Sequence, residues 1–68
     1  MIKIHIDDIL EKKGRTRYWL QKRMDGISYQ NLCNIANNKT KSIQFRTLED
    51  LAKTLDCSFD ELLEIIET

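Results

Sequence analysis

The first six residues, MIKIHI, alternate Ile2, Ile4 and Ile6 with Lys3 and His5. A period of two is that of a half-buried strand, so the chain is expected to open on a short N-terminal β-strand that needs a partner, with His5 an exposed strand residue. The period then changes. Ile6, Ile9 and Leu10, with the stem of Lys13, make a helical stripe that stops at Gly14. Its acids lie early and its lysines late, as the helix macrodipole prefers, and glycine is a common C-terminal stop.

Thr16 is placed to cap a second helix from Arg17 to Met24, with Leu20 and Met24 facing inward and Tyr18 or Trp19 at one edge. Asp25 and Gly26 break it, because Gly26 can take a positive backbone torsion. Ile27 can then plug the angle between helices, and Ser28 can cap a third helix running to about Asn37. Asn37, Asn38 and Lys39 end that helix, asparagine being the best substitute for glycine in a left-handed position. Phe45, Leu48, Leu51, Ala52 and Leu55 mark a fourth amphipathic helix from about Gln44 to Leu55, its start stapled by Ile43. Ser58 and Glu61 read as a capping box opening a fifth helix, Phe59 to about Ile66. Phe59, Leu62, Leu63, Ile65 and Ile66 give this last helix more apolar surface than one face needs.

A chain of 68 residues is expected to form one domain, residues 1–68, burying about 60% of its unfolded surface. Proline is absent and 41% of residues are hydrophobic, with no low-complexity segment, so a folded globule is expected rather than disorder. No apolar run reaches the length of a membrane span and no signal core follows the start, which points to the cytoplasm. Cys33, Cys57 and the single histidine, His5, cannot supply four zinc ligands at usual spacings. No cofactor is implied, and the cysteines read as free thiols, with Cys57 packing inward. No catalytic set emerges either, since the carboxylates fall on helix surfaces and neither cysteine has a basic partner by spacing, so an enzyme is not expected.

The zero net charge conceals a strong polarity. Between Lys12 and Arg46 lie nine basic residues against the single acid Asp25, a net +8, which leaves −8 on the remainder. Within that basic half, the stretch GISYQNLCNIANNKT is rich in amides: Gln30, Asn31, Asn34, Asn37 and Asn38, beside Tyr29. Cations neutralise phosphates and release counterions, and Asn and Gln pair bidentately with adenine edges. Helix-end chemistry accounts for Asn37 and Asn38, but not for Gln30, Asn31 and Asn34 at the helix start and middle. Duplex DNA is the partner this combination suits. RNA would need Tyr18, Trp19 and Tyr29 as open stacking platforms, whereas one of the Tyr18 and Trp19 rings is needed in the core.

TRYWL, GISYQNL, NNKT, FRTLEDLAKTL and SFDELL, in that order, resemble the lambda-repressor and Cro-like (Xre-type) helix-turn-helix family of DNA-binding transcriptional regulators. The resemblance spans Asp7 to Leu63. It implies an all-α, five-helix domain whose third helix lies in the major groove while the second crosses the backbone. By matching positions it places Tyr29, Gln30 and Asn34 at base edges. It places Arg17, Asn31, Asn37, Lys39, Thr40 and Lys41 near phosphates, with Arg46 a weaker member of that set. Gln21 stands where the family usually has alanine, and four residues, Lys22 to Asp25, precede Gly26 where three are usual. The second helix is therefore expected to run one residue further, or its turn to be looser. Asn38 replaces a usual glycine.

The function implied is a transcriptional regulator, a repressor, that binds duplex DNA as a homodimer. The dimer is expected through surplus apolar surface on the terminal helix (Leu63, Ile65, Ile66) or the strand (Ile2, Ile4). The competing reading is a protein-interaction module of the same fold, of antitoxin or anti-repressor type.

Overall fold

In the computed structural model, which describes residues 1–67, local capping chemistry sets most of the boundaries. The order is β1 (Ile2–Ile4), α1 (Ile6–Lys13), α2 (Arg17–Arg23), α3 (Tyr29–Ala36), α4 (Phe45–Leu55), α5 (Phe59–Leu62) and β2 (Leu63–Ile65). Gly14 ends α1 in the left-handed region at φ 65°. Thr16 Oγ1 accepts from the Trp19 N–H at 3.1 Å, and Ser28 Oγ accepts from the Asn31 N–H at the same distance. Ser58 and Glu61 form the reciprocal capping box at the head of α5. Each such cap contributes about 1 kcal/mol.

All five helices supply the core. Ile6, Leu20, Leu32, Leu51, Leu55 and Leu62 are fully buried, and Trp19, Ile43, Leu48, Ala52, Cys57 and Leu63 pack half-buried around them. Of the two neighbouring rings, Trp19 joins the core edge and Tyr18 stays outside.

The all-α expectation is corrected at the C-terminus. The fifth helix does not reach Ile66: α5 stops at Leu62, and Leu63 turns extended at φ −118° and ψ 144°. β2 then pairs antiparallel with β1 in the register Ile2 with Ile65, Lys3 with Glu64 and Ile4 with Leu63. Residues 63 to 65 alternate apolar, charged, apolar, and β1 supplies the partner that a lone strand requires. Ile4 and Leu63 turn inward, while Ile2 and Ile65 on the same face overhang into solvent. The strand and the terminal segment, predicted as two rival apolar patches, are thus one ribbon.

Two more positions depart from the predicted stripes. Phe45 is 88% exposed, since the first turn of α4 overhangs the core and Ile43 and Leu48 fill the space. Phe59 is also exposed, at the first turn of the short α5. His5 is no exposed strand residue: it is half-buried at the N-terminus of α1, with Nδ1 3.0 Å from Asp8 Oδ2 and Nε2 2.7 Å from Glu64 Oε1. Among the described residues, no helix is long and apolar enough to cross a membrane.

Candidate nucleic-acid interface

The bend between α2 and α3 answers the question raised by its extra residue. α2 ends at Arg23, and Met24 is extended with its side chain buried, so the added length goes into a looser turn. Gly26 takes φ 75° and Ile27 plugs the angle. Gln21 spans the turn, its Nε2 donating to the Ile27 carbonyl at 3.1 Å. An alanine there could not make that brace.

On α3, Leu32, Ile35 and Ala36 face the core, and the opposite side is open. Tyr29, Gln30 and Asn31 are exposed and Asn34 is half-buried, so the side chains assigned to base edges share one accessible face. Gln30 Nε2 donates to Asn34 Oδ1 at 3.3 Å across one helical turn. This bond uses one Gln30 proton and leaves its Oε1 and second proton free, along with the Asn34 amide donors. The Tyr29 ring lies 6.5 Å from that of Tyr18 on α2.

Arg17 sits at the first turn of α2, where the resemblance placed a phosphate contact, but it is already engaged. Its Nε donates to Asp7 Oδ1 at 2.8 Å, and its Nη2 donates to both Asp7 Oδ2 and Asn37 Oδ1, the latter at 2.7 Å. One guanidinium therefore ties α1 and the end of α3 to α2. The Asp7 hydrogen bond raises the Arg17 pKa against a smaller opposing effect of burial, so the side chain stays charged. The same bond holds Asp7 below its ordinary value, partly offset by desolvation. A carboxylate whose pKa falls on folding adds stability above the unfolded value, near 4, and loses it as pH falls through the lower folded value. Acid titration of the wild type should therefore show a stability loss below about pH 4 that Asp7→Asn diminishes. The size should stay under about 1 kcal/mol, because this pair is half open to water. A pH-stability curve unchanged by Asp7→Asn would refute the linkage.

The loop residues Lys39, Thr40 and Lys41 and the helix-start residue Arg46 are exposed. Among the described residues, Arg17 is the one basic side chain between Lys12 and Arg46 with a salt bridge. Asn38 holds φ 60° after α3, as its left-handed assignment requires, and does more. Its Oδ1 accepts from the Ile4 N–H at 2.7 Å and its Nδ2 donates to the Ile4 carbonyl at 3.3 Å, so its amide pairs with the free edge of β1.

Sequence reasoning missed three further features here. Arg15 and Arg23 lie over the Trp19 ring at 4.8 and 5.1 Å, and Lys22 lies over Tyr18 at 5.2 Å. The spacing of Arg15, Trp19 and Arg23, four residues apart each time, was a legible signal for that stack. The role of Asn38 had no such signal, because Ile4 is 34 residues away. Cys33 and Cys57 are free and half-buried, and burial, then the nearby Glu61 charge, pushes the Cys57 thiol up. No group of three or more His, Cys, Asp or Glu side chains suited to a metal occurs among the described residues.

Residues 5–68 match the family model of the Cro/C1-type HTH DNA-binding domain. The chain belongs to the Cro/C1-type helix-turn-helix family. The uncharacterized HTH-type transcriptional regulator YozG of Bacillus subtilis (strain 168) is 38% identical over 61 residues, covering 90% of this chain and 71% of the relative. The crystal structure of a candidate DNA-binding protein from Bacteroides fragilis superposes with a TM-score of 0.80 at 26% identity, covering 94% of this chain and all of that one. In this helix-turn-helix domain α2, the Met24–Ser28 turn and α3 form the motif itself. β1 precedes the residues matched by the family model, so the ribbon's first strand lies outside that shared part.

Proposed function

We propose that this helix-turn-helix chain is a sequence-specific, duplex-DNA-binding transcriptional regulator, a cytoplasmic repressor, whose α3 reads the major groove. The observation that carries the proposal is the open face of α3. Gln30 and Asn34 are bonded to each other and leave acceptor and donor groups free, so folding does not require them elsewhere. Tyr29, Gln30 and Asn34 meet base edges. Asn31, Asn37, Lys39, Thr40 and Lys41 meet phosphates, joined by Arg46. Arg17 acts mainly as the tie between helices and can still present its remaining donors to a phosphate.

The chain acts as a homodimer. Met1, Ile2 and Ile65 are exposed together at the end of the ribbon, beside an open groove of about 660 Å³ whose lining includes Ile43 and Ile66. Ile4 and Leu63, named with them from the sequence, are taken up mainly by the core of the same protomer. A two-fold pairing of this face would set half-sites about one helical turn apart.

Selection of binding sites from random duplexes, followed by titration at several salt concentrations, tests the reading. Affinity should fall on a log–log plot with a slope near 0.9 per phosphate neutralised, for about 4 to 8 phosphates in a dimer. Gln30→Ala or Asn34→Ala should cost on the order of 1 to 3 kcal/mol at particular base pairs, whereas Lys39→Ala should weaken all sequences alike. Failure to retain any duplex at low salt would favour the protein-interaction reading instead.

A further inference from the structure

Tyr18 and Tyr29 leave much of their rings open to solvent. They are 59% and 47% exposed, on different helices, yet their rings lie 6.5 Å apart at an interplanar angle of 57°. The Lys22 ammonium sits over the Tyr18 ring at 5.2 Å. This ordered arrangement joins α2 to the first residue of α3, immediately before Gln30. Aromatic pairs at such separations attract each other, and a cation over one ring adds to the attraction. The ring at the head of α3 is thereby held in place before any ligand arrives, which lowers the entropic cost of using it.

We infer that Tyr18 and Tyr29 form an aromatic ledge for the C5-methyl group of a thymine, an inference that rests on α3 lying in the major groove. The groups left free on Gln30 are one acceptor and one donor, which complement the N6 amino group and N7 of adenine. Every A·T pair that offers those groups also carries the thymine methyl, the one apolar group on the base edges of the major groove. An amide beside an aromatic ledge therefore reads both halves of an A·T step: hydrogen bonds on the purine and apolar contact on the pyrimidine. Tyr29 supplies the contact surface, and Tyr18, with Lys22 upon it, positions that ring.

The test uses the full chain and a duplex obtained by the selection above. Each thymine is replaced in turn by deoxyuridine, which removes the methyl group alone. Wild type should lose about fourfold in affinity at one or two thymines per half-site, the value expected for one buried methyl group. Tyr29→Phe should keep that sensitivity, Tyr29→Ala should abolish it, and Tyr18→Ala should reduce it. Melting temperatures should stay near wild type, because both rings are exposed. Tolerance of deoxyuridine at every position would overturn the ledge, as would equal methyl sensitivity in Tyr29→Ala. A Tyr29→Phe variant that loses as much as Tyr29→Ala would overturn it too, since the hydroxyl would then be the contact. If binding and Gln30 sensitivity persist without a methyl effect, only the ledge fails. If no duplex is bound at all, the regulator reading fails and the ledge with it.

Discussion

Leu32→Ala should remove a large share of the domain's stability. Leu32 is fully buried on the inner face of α3, directly behind the residues assigned to DNA. Truncating a buried leucine removes transfer free energy and leaves a cavity, at a cost of about 2 to 5 kcal/mol. A chain of this length has roughly 3 to 10 kcal/mol in total at the usual stability per residue. A small core has few other side chains able to shift into the gap. Thermal unfolding followed by circular dichroism should therefore show the midpoint lowered by at least about 10 °C, with duplex binding lost over the same interval. A midpoint within a few degrees of wild type would mean that α3 is not seated on the core through this residue.

Asn38→Ala should be the next most damaging change, although Asn38 lies on the surface. Two separate effects combine there. The left-handed backbone at φ 60° disfavours a Cβ-bearing residue without a local polar side chain, by about 1 to 2 kcal/mol. Loss of the amide also strips the Ile4 N–H and carbonyl of their partners, and an unsatisfied part-buried polar group costs about 1 to 3 kcal/mol. The expected total is about 2 to 4 kcal/mol, allowing for water at the opened edge. Asn38→Gly separates the effects, because glycine accepts the torsion but offers no side chain. It should be less destabilising than alanine while still increasing hydrogen exchange at the Ile4 amide. Protection of that amide undiminished in Asn38→Gly would refute the bridge between α3 and the ribbon.

The glycine usual in the family at this position meets the torsional demand alone. Here asparagine meets it and also caps β1, an element outside the matched family region. That pairing gives the departure from glycine a structural reason. It also blocks part of a sheet edge that would otherwise present free backbone groups to another strand.

The readable parts of this protein share one property: their causes lie within a helical turn or two. Thr16, Ser28 and the Ser58–Glu61 box bond to backbone groups three residues away, so their sequence positions nearly fix the helix starts. Gly14 and Asn38 took the left-handed torsions that their residue types favour. Leu20, Leu32, Leu51 and Leu55 became core because each lies on the apolar stripe of its own helix. The open amides of α3 were legible for the complementary reason: they fall opposite that helix's stripe.

The misread parts depend on residues distant in the chain. A helix to Ile66 satisfied the local apolar count, but Leu63 to Ile65 gained strand partners from Ile2 to Ile4, some 60 residues away. Phe45 matched the stripe of α4, yet no neighbouring element among the described residues covers that end. Arg17 looked like a free cation until Asp7 and Asn37 arrived on other helices. The sequence alone therefore determined the helices, their caps, the left-handed stops and the uncharged hydrogen-bonding face, because short-range sterics and hydrogen bonding specify them. Only the tertiary structure decided the ribbon, the Arg17 tie, the Asn38 bridge and the Tyr18–Tyr29 pair. Each requires two segments to meet in space, and that meeting is selected by the packing of the whole core rather than by either segment.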